Sequence, residues 1–259
     1  MKKIYIHTDH EGVSGVNRGE MILKDDKDYR FSVERLMADV NAAVDGAFLG
    51  GADHVTVMDG HGGGGNFDLS LLDPRAEFDA RPDKSWHGKI DESYWGSFMV
   101  GMHAMAGTLN GFLDHTRNSR TIYNYYINGR KMGEIGQWGV VCAHFGVPVI
   151  MVCGDESGVN EAAQFYAGCE TAAVKRGVSR GVATLAGYED ALDKIRAAAK
   201  RAVEKPERAK PLKPILPMEI KIEYYRCDFC EDYLAANEKY ERVDARTLRM
   251  ISDCYLNII

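Results

Sequence analysis

Lys3-Ile4-Tyr5-Ile6-His7-Thr8-Asp9-His10-Glu11-Gly12 opens as an apolar β-type run and ends on two carboxylates with a glycine directly behind. Residues two apart in an extended chain point to one face, so Asp9 and Glu11 aim together while His10 aims away. In an open α/β sheet the strand ends face the ligand crevice. A paired-acid strand end is a natural seat there for a cation, although acids that merely close a strand and sit in water are the commoner case.

Two further runs end in a similar way. His54–Met58 is followed by Asp59-Gly60-His61 and the glycines Gly62–Gly65, and Ser97–Met102 is followed by His103. Between the first two runs lies Tyr29–Leu49, whose Phe31, Val33, Leu36, Met37, Val40, Val44 and Phe48 recur at helical spacing until Gly50-Gly51 stops them. Strand, helix, strand predicts a βαβ unit and a parallel sheet, with Asp9, Glu11, His61 and His103 on one edge. The glycine run lacks the Lys-Ser/Thr of a phosphate loop and reads as a flexible loop around His61. Pro148–Cys153 is the near-continuous apolar run expected of a strand buried on both faces.

The remaining segments fill in the frame. A charged connection from Asp73 to Asp91 carries a short strand near Ala76–Phe78 and a surface histidine, His87. Thr121–Ile127, Asn128-Gly129 and Arg130–Met132 read as a hairpin, because Asn-Gly suits a tight turn. Glu134 then starts a helix over about Ile135–Phe145, and the helix dipole alone would explain a carboxylate there. A helix over Ser157–Tyr166 follows Asp155. Thr171–Val174 is short and β-like, leading to a loop with the cations Lys175, Arg176 and Arg180. Tyr188–Glu204 reads as a long helix, and Pro206, Pro211, Pro214 and Pro217 as a stiff linker. Met218–Tyr224 alternates as a strand, and Ala245–Tyr255 has helical spacing. The expected fold is α/β, with a central mostly parallel sheet flanked by helices. Residues 1–205 would form the core, and residues 206–259 a proline-rich linker and a smaller C-terminal strand–helix lobe packed on it.

Composition narrows the function classes. A formal charge of -6 over 259 residues argues against a nucleic-acid binder, which needs a basic face. No apolar run reaches membrane-span length, and nothing at the start resembles a signal peptide. The six cysteines read as reduced thiols of a cytoplasmic protein. Cys227 and Cys230 have ligand-like spacing, yet no second pair follows to complete a zinc knuckle.

Asp9, Glu11, His61, His103 and Glu134 form a mixed nitrogen and oxygen donor set, suited to zinc or manganese and too rich in nitrogen for calcium or magnesium. Five side chains exceed what a single catalytic zinc takes, but suit two metals about 3.5–4 Å apart that share a carboxylate and a water. Three carboxylates and a hydroxide also balance the charge of two zinc ions. Such a pair activates water and polarises a carbonyl, and amide hydrolysis then needs a proton donor for the leaving amine. His115 is the best unassigned candidate, with a loop histidine of no role the plain alternative. His7, His10, His54 and His144 read as packing or surface residues.

These residues resemble the zinc D-aminopeptidase family. Asp9-His10-Glu11-Gly12-Val13-Ser14-Gly15 matches its D-x-E-G-x-S-G opening. Asp59-Gly60-His61, Gly101-Met102-His103-Ala104, Tyr126–Arg130 with Gly133–Gly136, and Thr171–Lys175 follow in order. The likeness runs from about residue 1 to 180 and weakens beyond the proline linker. It implies a two-zinc site with Asp9 bridging and Glu11, His61, His103 and Glu134 completing it. His115 would take part in catalysis, as the nucleophile proposed in the family or as an acid or base. The family also implies a self-compartmentalising homodecameric ring whose substrates are short peptides with an N-terminal D-residue such as D-alanine. The glycine run, the Asp73–Asp91 connection and the C-terminal region depart from the family pattern. Rival readings are a two-metal phosphoesterase using Lys175 and Arg180 as a phosphate clamp, another small-amide hydrolase, and a non-catalytic ring that binds metal or peptides.

Overall fold

In the computed structural model, which describes residues 1–81, 84–205 and 209–258, the opening run becomes strand β1 (Lys3–Thr8), an interior strand of a seven-stranded sheet. The chain steps outward from it through helix α1 (Tyr29–Leu49), β2 (His54–Asp59) and β3 (Glu77–Asp79), then returns to β4 (Gly96–Met102) on the other side of β1. From there β7 (Val149–Asp155), β8 (Glu170–Ser179) and β9 (Val182–Leu185) extend the sheet, giving the order β3-β2-β1-β4-β7-β8-β9. Every neighbouring pair is parallel except β8 with β9. The direction of winding therefore reverses between β1 and β4, and that reversal opens a crevice at the carboxyl ends of these strands.

Both faces of the sheet are covered, which is why its strands read as apolar runs rather than alternating ones. Ile4 and Ile6 of β1 lie in one core with Val55, Val57, Leu36 and Val40 of α1, and Ile195 and Ala198 of α4 (Tyr188–Glu204). Tyr5 lies in the other core, stacked on Trp138 of α2 (Glu134–His144), with α3 (Glu156–Phe165) on the same side. Each fully buried aliphatic side chain here contributes roughly 1.5–3 kcal/mol.

A second sheet of five strands closes over α2, in the order β11-β12-β10-β5-β6. Its β5 (Ile122–Ile127) and β6 (Arg130–Lys131) form the predicted hairpin, with Asn128 and Gly129 both at positive φ as a tight turn requires. The strands after the prolines have no sheet of their own. β10 (Met218–Tyr224) pairs antiparallel with β5 on one side and with β12 on the other.

Two expectations need correction. Ala245–Tyr255 is not helical: it holds all of β12 (Thr247–Ser252), which pairs with β11 (Glu241–Asp244), while the helix of this region is α5 (Cys227–Ala236). Within β12, Leu248 and Met250 are buried while Ile251 is exposed, and Arg249 pairs across the ladder with Glu219 and Glu241. Leu248, Ile251 and Tyr255 mimic helical spacing only by chance. Likewise β8 does not stop at Val174 but runs to Ser179, so Lys175 is a strand residue and not a loop cation. Pro206 lies outside the described residues.

Candidate metal centre

Three adjacent parallel strands deliver the centre's first members at their carboxyl ends: Asp9 and Glu11 after β1, His61 after β2, and His103 after β4. Glu134 arrives from the first turn of α2, and His115 from the loop between β4 and β5. The structure brings all six together. His61 Nε2 is 3.3 Å from Glu11 Oε1, and His103 Nε2 is 3.2 Å from Asp9 Oδ2 and 3.6 Å from Glu134 Oε1. His115 Nε2 lies 3.6 Å from Glu134 Oε1 and 3.9 Å from Glu11 Oε1, its ring stacked on His103 at 4.1 Å. Three donor groups of three residues emerge, Asp9/Glu11/His61, Asp9/His103/Glu134 and Glu11/His103/His115, and Asp9 is shared by the first two.

The tautomers sharpen the point. His103 Nδ1 is 2.9 Å from the Ala104 carbonyl and His115 Nδ1 is 2.8 Å from the Leu113 carbonyl. A carbonyl only accepts, so in both rings the hydrogen sits on Nδ1 and the Nε2 lone pair faces the carboxylates. Buried lone pairs opposed to carboxylate oxygens repel unless a cation or a proton sits between them. Glu11 Oε2 and His103 Nε2 are buried without a hydrogen-bond partner among the described residues. The donor set thus fits divalent metal of the zinc type.

Without a cation, protons take its place. Burial and the neighbouring Glu11 push the Asp9 carboxyl up to about 8. Burial also acts to raise Glu11 and Glu134, but the facing histidines hold both below the usual carboxylate range, with Arg117 assisting at Glu134. Burial alone would lower His61, yet Glu11 and Asp9 overcome it and push it up to about 10. His115 goes down, through burial and the adjacent His103.

Buried polar groups behind the centre fix the loop that carries Asp9 and Glu11. The backbone N–H of Asp9 donates to Val100 at 2.8 Å and that of Gly12 to Gly101 at 2.7 Å. A Cβ on Gly12 would sit 1.9 Å from the Met102 carbonyl oxygen, so only glycine allows this approach. Ser14 donates through its backbone N–H and hydroxyl to Asp39, and Arg35 bonds the same hydroxyl. Lys175 is buried, and its Nζ donates to the carbonyls of Glu11, Val13 and Val16. Burial depresses this amine to about 7, yet three accepting carbonyls require the three hydrogens of an ammonium, and the geometry holds the charged form. On the β2 side, Asn66 donates to Asp59 and to the His61 carbonyl, closing the glycine run into a fixed loop.

Sequence reasoning missed Asp39, Arg35, Asn66 and the true role of Lys175. Local pattern treats a lysine as exposed, and only the pairing of β8 reveals that this one points inward. Arg180, the other expected phosphate-clamp cation, is exposed and pairs with Asp114. His7 and His10 are buried, His7 stacking on Trp138 at 4.3 Å. Cys227 is exposed and Cys230 buried on α5, and neither belongs to any metal-competent group among the described residues. No helix among these residues is long and apolar enough to cross a membrane.

Known proteins similar to this chain are D-aminopeptidases. The D-aminopeptidase of Bacillus subtilis strain 168 is 29% identical over 215 residues, which cover 82% of this chain and 77% of the relative. A solved structure, the zinc-dependent D-aminopeptidase DppA from Bacillus subtilis, a self-compartmentalizing protease, matches with a TM-score of 0.93 and 25% identity over 99% of this chain and 93% of its own. The family model for D-aminopeptidase matches residues 1–259, and the chain belongs to that peptidase family.

Proposed function

We propose that this chain releases N-terminal D-amino acids, such as D-alanine, from short peptides with two zinc ions per subunit. Asp9 would bridge them, Glu11 and His61 completing one site and His103 and Glu134 the other. The observation that carries this reading is the pair of donor groups sharing Asp9. Bound there, zinc supplies Lewis acidity and makes water a nucleophile at neutral pH.

The chain's own residues do the rest. Asp9, Glu11, His61, His103 and Glu134 present their lone pairs inward on anchored backbone, so little reorganisation is needed at the moment of reaction. His115, with Nδ1–H tied to Leu113 and Nε2 facing the centre, accepts a proton and returns it to the leaving amine. Arg117 donates its backbone N–H to Glu134 Oε1 at 2.8 Å and keeps that carboxylate aimed. The similar self-compartmentalizing structure supports a ring assembly here, with a decamer the expected form, and the six free cysteines suit a reducing cytoplasm. The phosphoesterase reading loses both cations first considered for it, since Lys175 and Arg180 are engaged elsewhere.

The test is initial hydrolysis of D-Ala-p-nitroanilide and its L-enantiomer by zinc-loaded, chelator-stripped and Asp9→Asn protein. Cleavage of the D-form, lost in both controls, is expected. Preference for the L-form would sink the stereochemical part, and no cleavage of either by protein holding two zinc ions would sink the aminopeptidase reading.

A further inference from the structure

Beside the centre, a cavity of about 350 Å³ is lined by Gly60, Gly62, Gly63, Arg81, Lys84, Trp86, Arg117 and Glu134. Its volume lies near the lower end of the roughly 300–1,000 Å³ typical of ligand pockets. Glu134 and the glycines on either side of His61 make it continuous with the proposed zinc sites. Its remaining polar wall is cationic. Arg81 is only 7% exposed, yet its guanidinium forms no ion pair among the described residues and reaches one carbonyl, that of Ser85, at 3.4 Å. The Arg117 guanidinium lies 4.5 Å above the Trp86 ring and also forms no ion pair among these residues. A buried guanidinium without a carboxylate is costly unless an anion joins it.

Two features show the recess is built for these side chains. Arg81, Lys84 and Arg117 all take positive φ, as do only three other non-glycine residues among those described. Such backbone is strained for these residues and clusters at ligand-binding sites. Gly64 is at positive φ as well, and a Cβ there would meet the Arg81 guanidinium at 2.8 Å, so the glycine loop makes room for the arginine.

We propose that Arg81 and Arg117, with Lys84 at the rim, bind the carboxylate of the leaving residue, making this protein selective for dipeptides with a free C-terminus. The assignment rests on the aminopeptidase reading. With the scissile carbonyl at the centre, the leaving part of the substrate must extend into an adjoining recess, and this one is small and lined by two arginines, Arg81 and Arg117. A fork of N–H donors matches a carboxylate in a way that a neutral amide cannot.

The experiment compares kcat/KM for D-Ala-D-Ala, its C-terminal carboxamide and D-Ala-D-Glu carboxamide in the zinc-loaded protein, with D-Ala-p-nitroanilide run alongside. The free acid is expected to exceed the carboxamide by about 10–100-fold, mostly in KM, as charge-assisted pairing predicts. Arg117→Gln should bring that ratio to within about threefold of one, with Arg117→Lys restoring part of it. Recovery of the rate with D-Ala-D-Glu carboxamide would show that a side-chain carboxylate also satisfies the recess. Anilide cleavage with equal rates on acid and carboxamide overturns the assignment while leaving the aminopeptidase reading intact. Failure to cleave the anilide or any of the peptides overturns both. Hydrolysis of phenyl phosphate that Arg117→Gln abolishes would assign the recess to phosphate and refute the proposal. The wild-type comparison decides even if a variant of buried Arg81 fails to fold.

Discussion

Replacing Lys175 by methionine tests whether the metal-bearing loop is held from behind. The substitution keeps an unbranched stem of similar length and removes only the ammonium. The buried carbonyls of Glu11 and Val16 then lose their donor, and that of Val13 keeps only the Val16 backbone N–H at 3.3 Å among the described residues. Each orphaned acceptor costs about 1–3 kcal/mol. Asp39 and Asp155, whose charges act favourably on this ammonium, lose a nearby cation as well. These terms share one group and do not add fully, so a loss of about 3–5 kcal/mol is expected. For a chain of this size that lowers the melting temperature by roughly 10 °C.

The assay is urea unfolding of the metal-free protein, read as a shift of the midpoint at constant slope, followed by zinc titration. Zinc stoichiometry should fall, because the stretch that Lys175 holds begins at Glu11. Lys194→Met is the control, since Lys194 is half-exposed and among the described residues pairs only with Asp190 one helical turn away. It should stay within about 0.5 kcal/mol of wild type. A Lys175→Met protein as stable as that control, with full zinc, would refute the reasoning. It would also free Lys175 for the phosphate-binding role it was first considered for.

Three further outcomes follow from the same geometry. Gly12→Ala should destabilise the protein by at least about 1–3 kcal/mol in thermal unfolding and reduce bound zinc, because the new Cβ meets backbone and no movable side chain. His115→Ala should cut turnover of D-Ala-p-nitroanilide by about 10²–10⁴-fold while metal content by elemental analysis stays unchanged; unaltered turnover would reduce His115 to a bystander. Zinc affinity, measured by competition with a chelating dye, should rise from about pH 6 to about pH 9, because binding must displace protons. The sign follows from the raised groups. Asp9, normally near 3.8, titrates near 8, and His61, normally near 6.5, near 10. Their protons stabilise the metal-free fold below the ordinary values, and that stability is lost as pH rises through the raised ones. The metal-free protein should therefore melt progressively lower across that range, and a flat profile would contradict the assigned protonation.

How much of this was legible depends on whether the signal is local. A carboxylate or histidine directly behind an apolar run is a local signal, and parallel pairing of β1, β2 and β4 carries it into space unchanged. The positions of Asp9, Glu11, His61 and His103 could thus be read before any fold was known. The β5–β6 turn was equally readable, since Asn-Gly encodes its own backbone. The C-terminal hairpin was not. Its apolar residues are few, its charges pair across strands, and three residues happened to fall at helical spacing.

The deeper failures concern charges that the fold turns inward. Lys175, Arg35, Asp39 and Arg81 are buried, and each belongs to a type that sequence reasoning places in water. Nothing in the neighbouring residues announces their burial, because their environments are assembled from segments far apart in the chain: Lys175 meets residues 11–16, and Arg81 meets the glycine loop after β2. Two of these charges face satisfied partners, Asp39 with Ser14 and Lys175 with backbone carbonyls, and so serve the loop itself. Arg81 forms no ion pair among the described residues, reaches only the Ser85 carbonyl at 3.4 Å there, and faces a cavity. That difference separates a charge buried to hold the protein from one buried to meet a substrate.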